Sequence, residues 1–147
     1  MRRKERVFID SSVMIAALLS SKGGSFHVIN DLHDDFILQT SEYSIQETTR
    51  TFLKLPKKFK DEGLTTRLML QIGLSNMRVL ENPDPNIMKR MGKYVHKNDA
   101  SILGSAMISS DYLLTLDKGF FKDDILKIAT RHHVRILKPG DFIELLK

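Results

Sequence analysis

Four acidic residues stand where a chain seldom places acids. Asp10 closes the apolar run "VFI", Asp117 closes "YLLTL", and Glu47 and Asp99 fall at the starts of two segments of helical period. Carboxylates are costly to bury, and two of them about 4 Å apart repel by roughly 4 kcal/mol at an effective dielectric near 20. A cluster of them takes up protons or binds a cation. Oxygen donors without cysteine or convergent histidine suit a hard ion, Mg²⁺ or Mn²⁺, rather than zinc. Each acid also has a purely structural reading. Asp10 before Ser11-Ser12 could begin a helix, and Ser44-Ile-Gln-Glu47 has the form of a capping box. Asn98-Asp99 could be a cap with an acid suited to the helix dipole, and Asp117-Lys118-Gly119 could be a turn.

The elements that must position these acids follow from the hydropathy pattern. Residues 6–9 read as a buried strand, and "SSVMIAALLSS" as an internal helix stopped by Gly23-Gly24. "SFHVINDLH" is a second helix, 36–40 a second strand, and Ser44 opens a third helix that Pro56 ends. Residues 62–76 have helical period and 77–81 form a third strand; Pro83 and Pro85 mark a turn before "NIMKRMGKYV". "NDASILGSAMIS", rich in small residues, is a helix suited to close packing on a sheet. "YLLTL" is a fourth strand, "FFKDDILKIATRH" a helix, "VRIL" a fifth strand, and "PGDFIELLK" a closing helix with Pro139 in its first turn.

Short apolar strands alternating with helices predict a three-layer α/β/α sandwich around a mainly parallel sheet of about five strands, within a single domain spanning 1–147. Right-handed crossovers then bring the carboxyl ends of all strands to one edge, where open α/β sheets bind ligands. Asp10, Glu47 and Asp117 are expected there. Asp99 joins them if its helix runs antiparallel to the strand it feeds.

With these motifs in place, "VFIDSSVMIAALL", "TSEYSIQETTRTF", "NDASILGSAMISSDYLLTLDKGFF" and "ILKPGDFIELL" together resemble the PIN domain, most nearly its small VapC-type toxins. The likeness spans nearly the whole chain, although 53–94 matches in element type only. It implies a metal-dependent ribonuclease with catalytic and metal-binding acids at Asp10, Glu47, Asp99 and Asp117, and a Mg²⁺ or Mn²⁺ cofactor. The ion would be held by Asp10, Asp99 and Asp117, with Glu47 binding it through water or orienting the nucleophile. Thr115 and Ser11 match the family's hydroxyls beside the fourth and first acids and would fix carboxylate rotamers. Asp111 matches an acid found before the fourth strand and is read as a strand-entry cap. Gly119 stands where members often carry a further acid, so the likeness does not extend to the ligands of a second metal. It also implies a small antitoxin whose basic residue enters the acidic site, and a homodimer. The apolar stretches 64–77 and 52–55 are candidate docking faces.

Of the five histidines, His132 and His133 point different ways on any regular element and are poor ligands, His27 and His33 read as helix-surface or core residues, and only His96, three residues before Asp99, is near enough in sequence to approach a substrate. The chain carries 23 Lys and Arg against 18 Asp and Glu, a net charge of +5, which favours anionic partners. Lys57, Lys58, Lys60, Arg90, Lys93 and Lys97 could flank the cleft and hold RNA phosphates. Cysteine is absent, excluding disulfide and thiolate chemistry and fitting the cytoplasm. No apolar run is long enough to span a bilayer, and Asp10 interrupts the only candidate signal sequence. A haloacid-dehalogenase site would need an acid at Ser12, a receiver domain would need paired acids at its first strand, and no Walker loop occurs. The remaining rival is a catalytically silent module that keeps the fold to bind RNA or protein.

Overall fold

The computed structural model describes residues 3–56 and 63–147. Five short strands form one sheet in the order β3-β2-β1-β4-β5: β1 (Arg6–Ile9), β2 (Ile37–Ser41), β3 (Arg78–Leu80), β4 (Tyr112–Leu114) and β5 (Arg135–Leu137). All four pairings are parallel, with Phe8 opposite both Gln39 and Leu113, and Leu113 opposite Ile136. Eight α-helices surround the sheet among the described residues: α1 (Ser11–Leu19), α2 (Gly24–Asp31), α3 (Glu42–Lys54), α4 (Leu64–Leu74), α5 (Pro85–Met91), α6 (Lys97–Ser109), α7 (Asp123–Arg131) and α8 (Pro139–Leu145). None of them is long and apolar enough to cross a membrane by itself.

The period of two along each strand sorts side chains into two cores. Val7, Ile9, Leu38 and Leu114 face α1, α2, α4 and α8, where Met14, Ile29, Leu68 and Phe142 are fully buried. Phe8, Leu113 and Ile136 face α5, α6 and α7, with Ile102, Leu103 and Ile125. Fully burying such a side chain contributes about 1.5–3 kcal/mol. This is the expected three-layer arrangement, and it explains why the strands are apolar on both faces.

Helix α6 is built to lie close. A Cβ on Gly104 would come within 3.1 Å of Ile87 Cγ2 and 3.3 Å of Pro83 Cγ, so any larger residue would push α5 and the segment before it outward by a few tenths of an ångström.

Several boundaries differ from expectation. Helix α3 begins at Glu42, because Ser41 rather than Ser44 is its cap: Ser41 Oγ accepts the Ser44 N–H at 3.1 Å. Glu47 therefore lies in the second turn, outside any capping box. Gly24 begins α2 instead of closing α1, which ends at Leu19 with Ser20 as its cap. Phe120 and Phe121 belong to a 3₁₀ turn (Lys118–Phe121) capped by Asp117, and α7 starts only at Asp123. Helix α6 starts at Lys97 after His96, so Asn98 is not its cap and Asp99 is its third residue.

Candidate active site

In a sheet of order 3-2-1-4-5 the chain reverses its direction of winding between β1 and β4. That leaves a crevice beyond their carboxyl ends. Asp10 follows β1 and is 2 % exposed. Its N–H is bound to Leu114 C=O at 3.1 Å, so the last rung of the β1–β4 pairing fixes its backbone. Water is replaced around its carboxylate by protein donors. Oδ1 accepts the Ser11 N–H at 2.8 Å, and Oδ2 accepts the hydroxyls of Ser12 and Thr115, each at 2.7 Å. A carboxylate has about four acceptor positions; the fourth, on Oδ1, faces the Ser11 Oγ at 3.4 Å, but that hydroxyl's one proton goes to Glu47, which leaves the position open to a further partner.

The other acids face Asp10 from separate elements. Glu47 reaches across from α3, and its Oε1 accepts the Ser11 hydroxyl. Asp99 projects half-buried from the first turn of α6. Asp117, exposed after β4, accepts the Gly119 N–H at 2.9 Å while its own N–H is bound to Thr115 Oγ1 at 3.0 Å. A Cβ on Gly119 would press on that carboxylate at 3.2 Å.

Their electrostatic coupling shows in the protonation equilibria. Burial raises Asp99 to about 6, helped by the negative charges of Asp117, Asp10 and Glu47 and opposed by His96. Burial also raises Asp10; the Thr115 and Ser12 hydroxyls pull it back and Glu47 pushes it further up. Thus Asp99 senses the charges of the other three acids, and Asp10 that of Glu47, at one sheet edge. Among the described residues, however, no three acids or histidines stand at the spacing of ligands to one ion.

The remaining predicted residues divide clearly. Ser11 and Thr115 contact site carboxylates. Asp111 lies at the opposite edge, where its Oδ2 accepts the Arg6 N–H at 2.8 Å and Arg3 bridges its Oδ1 at 3.2 Å; this is the strand-entry role. His27 pairs with Asp31 at 2.6 Å, away from the crevice. Arg90, Lys93 and His96 are exposed on α5 and the segment leading into α6. Lys57, Lys58 and Lys60 lie outside the described residues, as does the side chain of Lys97.

Two neighbours escaped the sequence reading. Ser12 carries no signal of its own, since a second serine after a helix-opening aspartate is unremarkable. Tyr43 sits one turn before Glu47 on the same face of α3, and its hydroxyl is raised by burial and by the charges of Glu47 and Asp99.

A family model of the PIN domain matches residues 7–141. The chain belongs to the PIN domain family. No curated protein sequence matches it, but solved structures do. PAE2754 from Pyrobaculum aerophilum superposes with a TM-score of 0.65 at 17 % identity, covering 97 % of this chain and 90 % of that one. FitAcB from Neisseria gonorrhoeae gives 0.63 at 19 % identity, covering 91 % and 98 %. VapBC2 from Rickettsia felis, solved bound to a DNA fragment from its promoter, gives 0.64 at 13 % identity, covering 90 % and 98 %. At these identities the likeness is one of fold. It covers the β1–β4 crevice, so the PIN fold accounts for the edge at which the acids meet.

Proposed function

We propose that the chain is a Mg²⁺- or Mn²⁺-dependent endoribonuclease of the VapC type, the toxin of a toxin–antitoxin pair acting in the cytoplasm. The observation that carries this reading is the convergence on one half-buried site of Asp99 with Asp10, Glu47 and Asp117: burial first, and then the charges of the other three, raise Asp99 to about 6. Mutually repelling oxygen donors at a ligand-binding edge fit a hard divalent cation, which would relieve that repulsion. Asp10, Asp99 and Asp117 would hold it, with Glu47 further out. When bound, such an ion would neutralise a non-bridging phosphate oxygen and acidify a water beside the phosphodiester.

The protein's own groups then have distinct tasks. Asp10 presents its Oδ1 edge from a buried, donor-locked position. Asp99 and Asp117 approach from α6 and from the loop after β4, and Asp99 must lose its proton before it can serve. Glu47, steadied by the Ser11 hydroxyl, is placed to orient an attacking water. Exposed Arg90 and Lys93 offer charge to the RNA backbone.

The partner is a small antitoxin with a basic residue for the acidic edge. A groove of about 220 Å³ lined by Leu18, Phe26, Ile29, Arg67, Leu70 and Leu74 supports a docking face along α4. Exposed Leu53, on α3, and Leu74 are available to an antitoxin or a second copy of the chain.

The test is cleavage of RNA by the purified chain with Mg²⁺ or Mn²⁺, beside Asp10→Asn and calorimetric titration of the metal. Wild type is expected to bind the ion and cut. Asp10→Asn should lose the heat and about a hundredfold or more of the rate, as the loss of several kcal/mol of charge stabilisation requires. The absence of ligand spacing among the described acids favours one rival, a silent binding module. Wild-type protein that neither binds metal nor cuts RNA would establish that rival.

A further inference from the structure

Ser12 has two partners that belong to different sides of the crevice. Its Oγ donates to Asp10 Oδ2 at 2.7 Å and accepts the Leu116 N–H at 3.0 Å. Thr115 Oγ1, 3.4 Å away, repeats the pattern: it donates to the same Asp10 oxygen at 2.7 Å and accepts the Asp117 N–H at 3.0 Å. A hydroxyl has one proton, and a main-chain N–H can only donate. Each N–H therefore occupies an acceptor lobe and leaves the hydroxyl's proton for Asp10. Donation runs one way, from the loop after β4, through two hydroxyls, to the carboxylate.

Past Asp10 the main chains of β1 and β4 part company. The bond from Asp10 N–H to Leu114 C=O is their last rung, and Thr115 N–H turns instead to Leu137 C=O at 3.1 Å. From there on, Ser12 ties the β1–α1 junction to the backbone of the loop that carries Asp117.

We propose that Ser12 is a positioning residue. With Thr115 it latches Asp10 to the Leu116–Asp117 main chain and so sets both the free edge of Asp10 and its distance from Asp117. The role rests on the metal-dependent reading above. Hydroxyls that orient ligating carboxylates are typically worth about 10–100-fold in metal affinity. Loss of the Ser12 hydroxyl also takes one donor from the sealed Asp10 carboxylate, so some folding stability goes with it, while the Ser11 N–H and Thr115 hydroxyl remain.

The experiment is calorimetric titration with Mn²⁺ of the whole chain as wild type, Ser12→Ala, Ser12→Thr and Asp10→Asn, each with its metal-free unfolding temperature. Ser12→Thr keeps the hydroxyl and so separates donation from the mere presence of serine. Ser12→Ala is expected to remain folded, with a somewhat lower unfolding temperature, and to bind Mn²⁺ about tenfold more weakly at temperatures well below that transition. Ser12→Thr should bind like wild type. Should Ser12→Ala not fold, Ser12→Cys, similar in size but a poor donor, is read by the same criterion. Undiminished affinity in the alanine or cysteine variant overturns the proposal, as does an equal loss in Ser12→Thr. If wild type itself takes up no Mn²⁺, the metal-dependent reading fails first and the role of Ser12 falls with it.

Discussion

A carboxylate sealed from water survives only where donors stand in for the solvent, and Asp10 and Asp99 handle this differently. Asp10 is held by a backbone N–H and two hydroxyls, whereas Asp99 has three like charges around it and a protonation equilibrium moved from 3.8 to about 6. The sign of the consequence follows directly. A carboxyl whose folded pKa is raised binds its proton more tightly when folded, so it favours folding fully below 3.8 and loses that contribution as pH rises through about 6. At pH 7.5 the metal-free protein carries the full penalty. Asp99→Asn, neutral at every pH, should therefore stabilise the metal-free chain at pH 7.5 by on the order of 1–2 kcal/mol, allowing for solvent screening of a half-exposed group. The gain should shrink steadily towards pH 4. Thermal unfolding of both proteins across this range checks it, and a gain independent of pH would mean that neither burial nor the other acids raise Asp99.

At the scale of elements, the sheet separates chemistry from support. Phe142 of α8 packs edge-on against Phe36 and Tyr112, with ring centroids 5.1 and 5.0 Å apart, at the entry ends of β2 and β4. The acids lie at the exit ends. Phe142→Ala should thus cost about 3–5 kcal/mol by leaving a cavity. A urea midpoint reports that loss, while the Mn²⁺ affinity of the folded protein stays at the wild-type value; a parallel fall in affinity would show the two edges to be coupled. The same division explains what the sequence made legible. Parallel strand–helix alternation is enough to predict which edge receives Asp10 and Asp117, since it depends on order alone. The start of α3 was not legible, because Ser41 and Ser44 are both competent caps. Only the extension of β2 to Ser41, opposite Leu80, decides between them, and that pairing is long-range. Ser12 is hidden for a similar reason. Its meaning lies in Leu116, more than a hundred residues away, and no local spacing announces that contact.

For the molecule as a whole, charge poses a problem that the proposed reaction must solve. The chain carries +5 overall, yet the edge beyond β1 and β4 gathers four acids. An RNA strand is therefore drawn to the body and repelled from the crevice, unless a cation reverses the local sign. Arg90 and Lys93, exposed just before the helix that supplies Asp99, are suited to hold phosphates at the rim. Each phosphate neutralised on a single strand steepens the fall of log Kobs with log salt by about 0.7. In an Asp10→Asn background, where cleavage should be negligible, replacing Arg90 and Lys93 by alanine should make that slope shallower by about 1.4. Affinity should drop alike for oligonucleotides of different sequence, because phosphate contacts carry no base information. Fluorescence anisotropy over a salt series measures both quantities. An unchanged slope would move the RNA path away from α5, and a loss confined to one sequence would mean that these side chains read bases instead of the backbone.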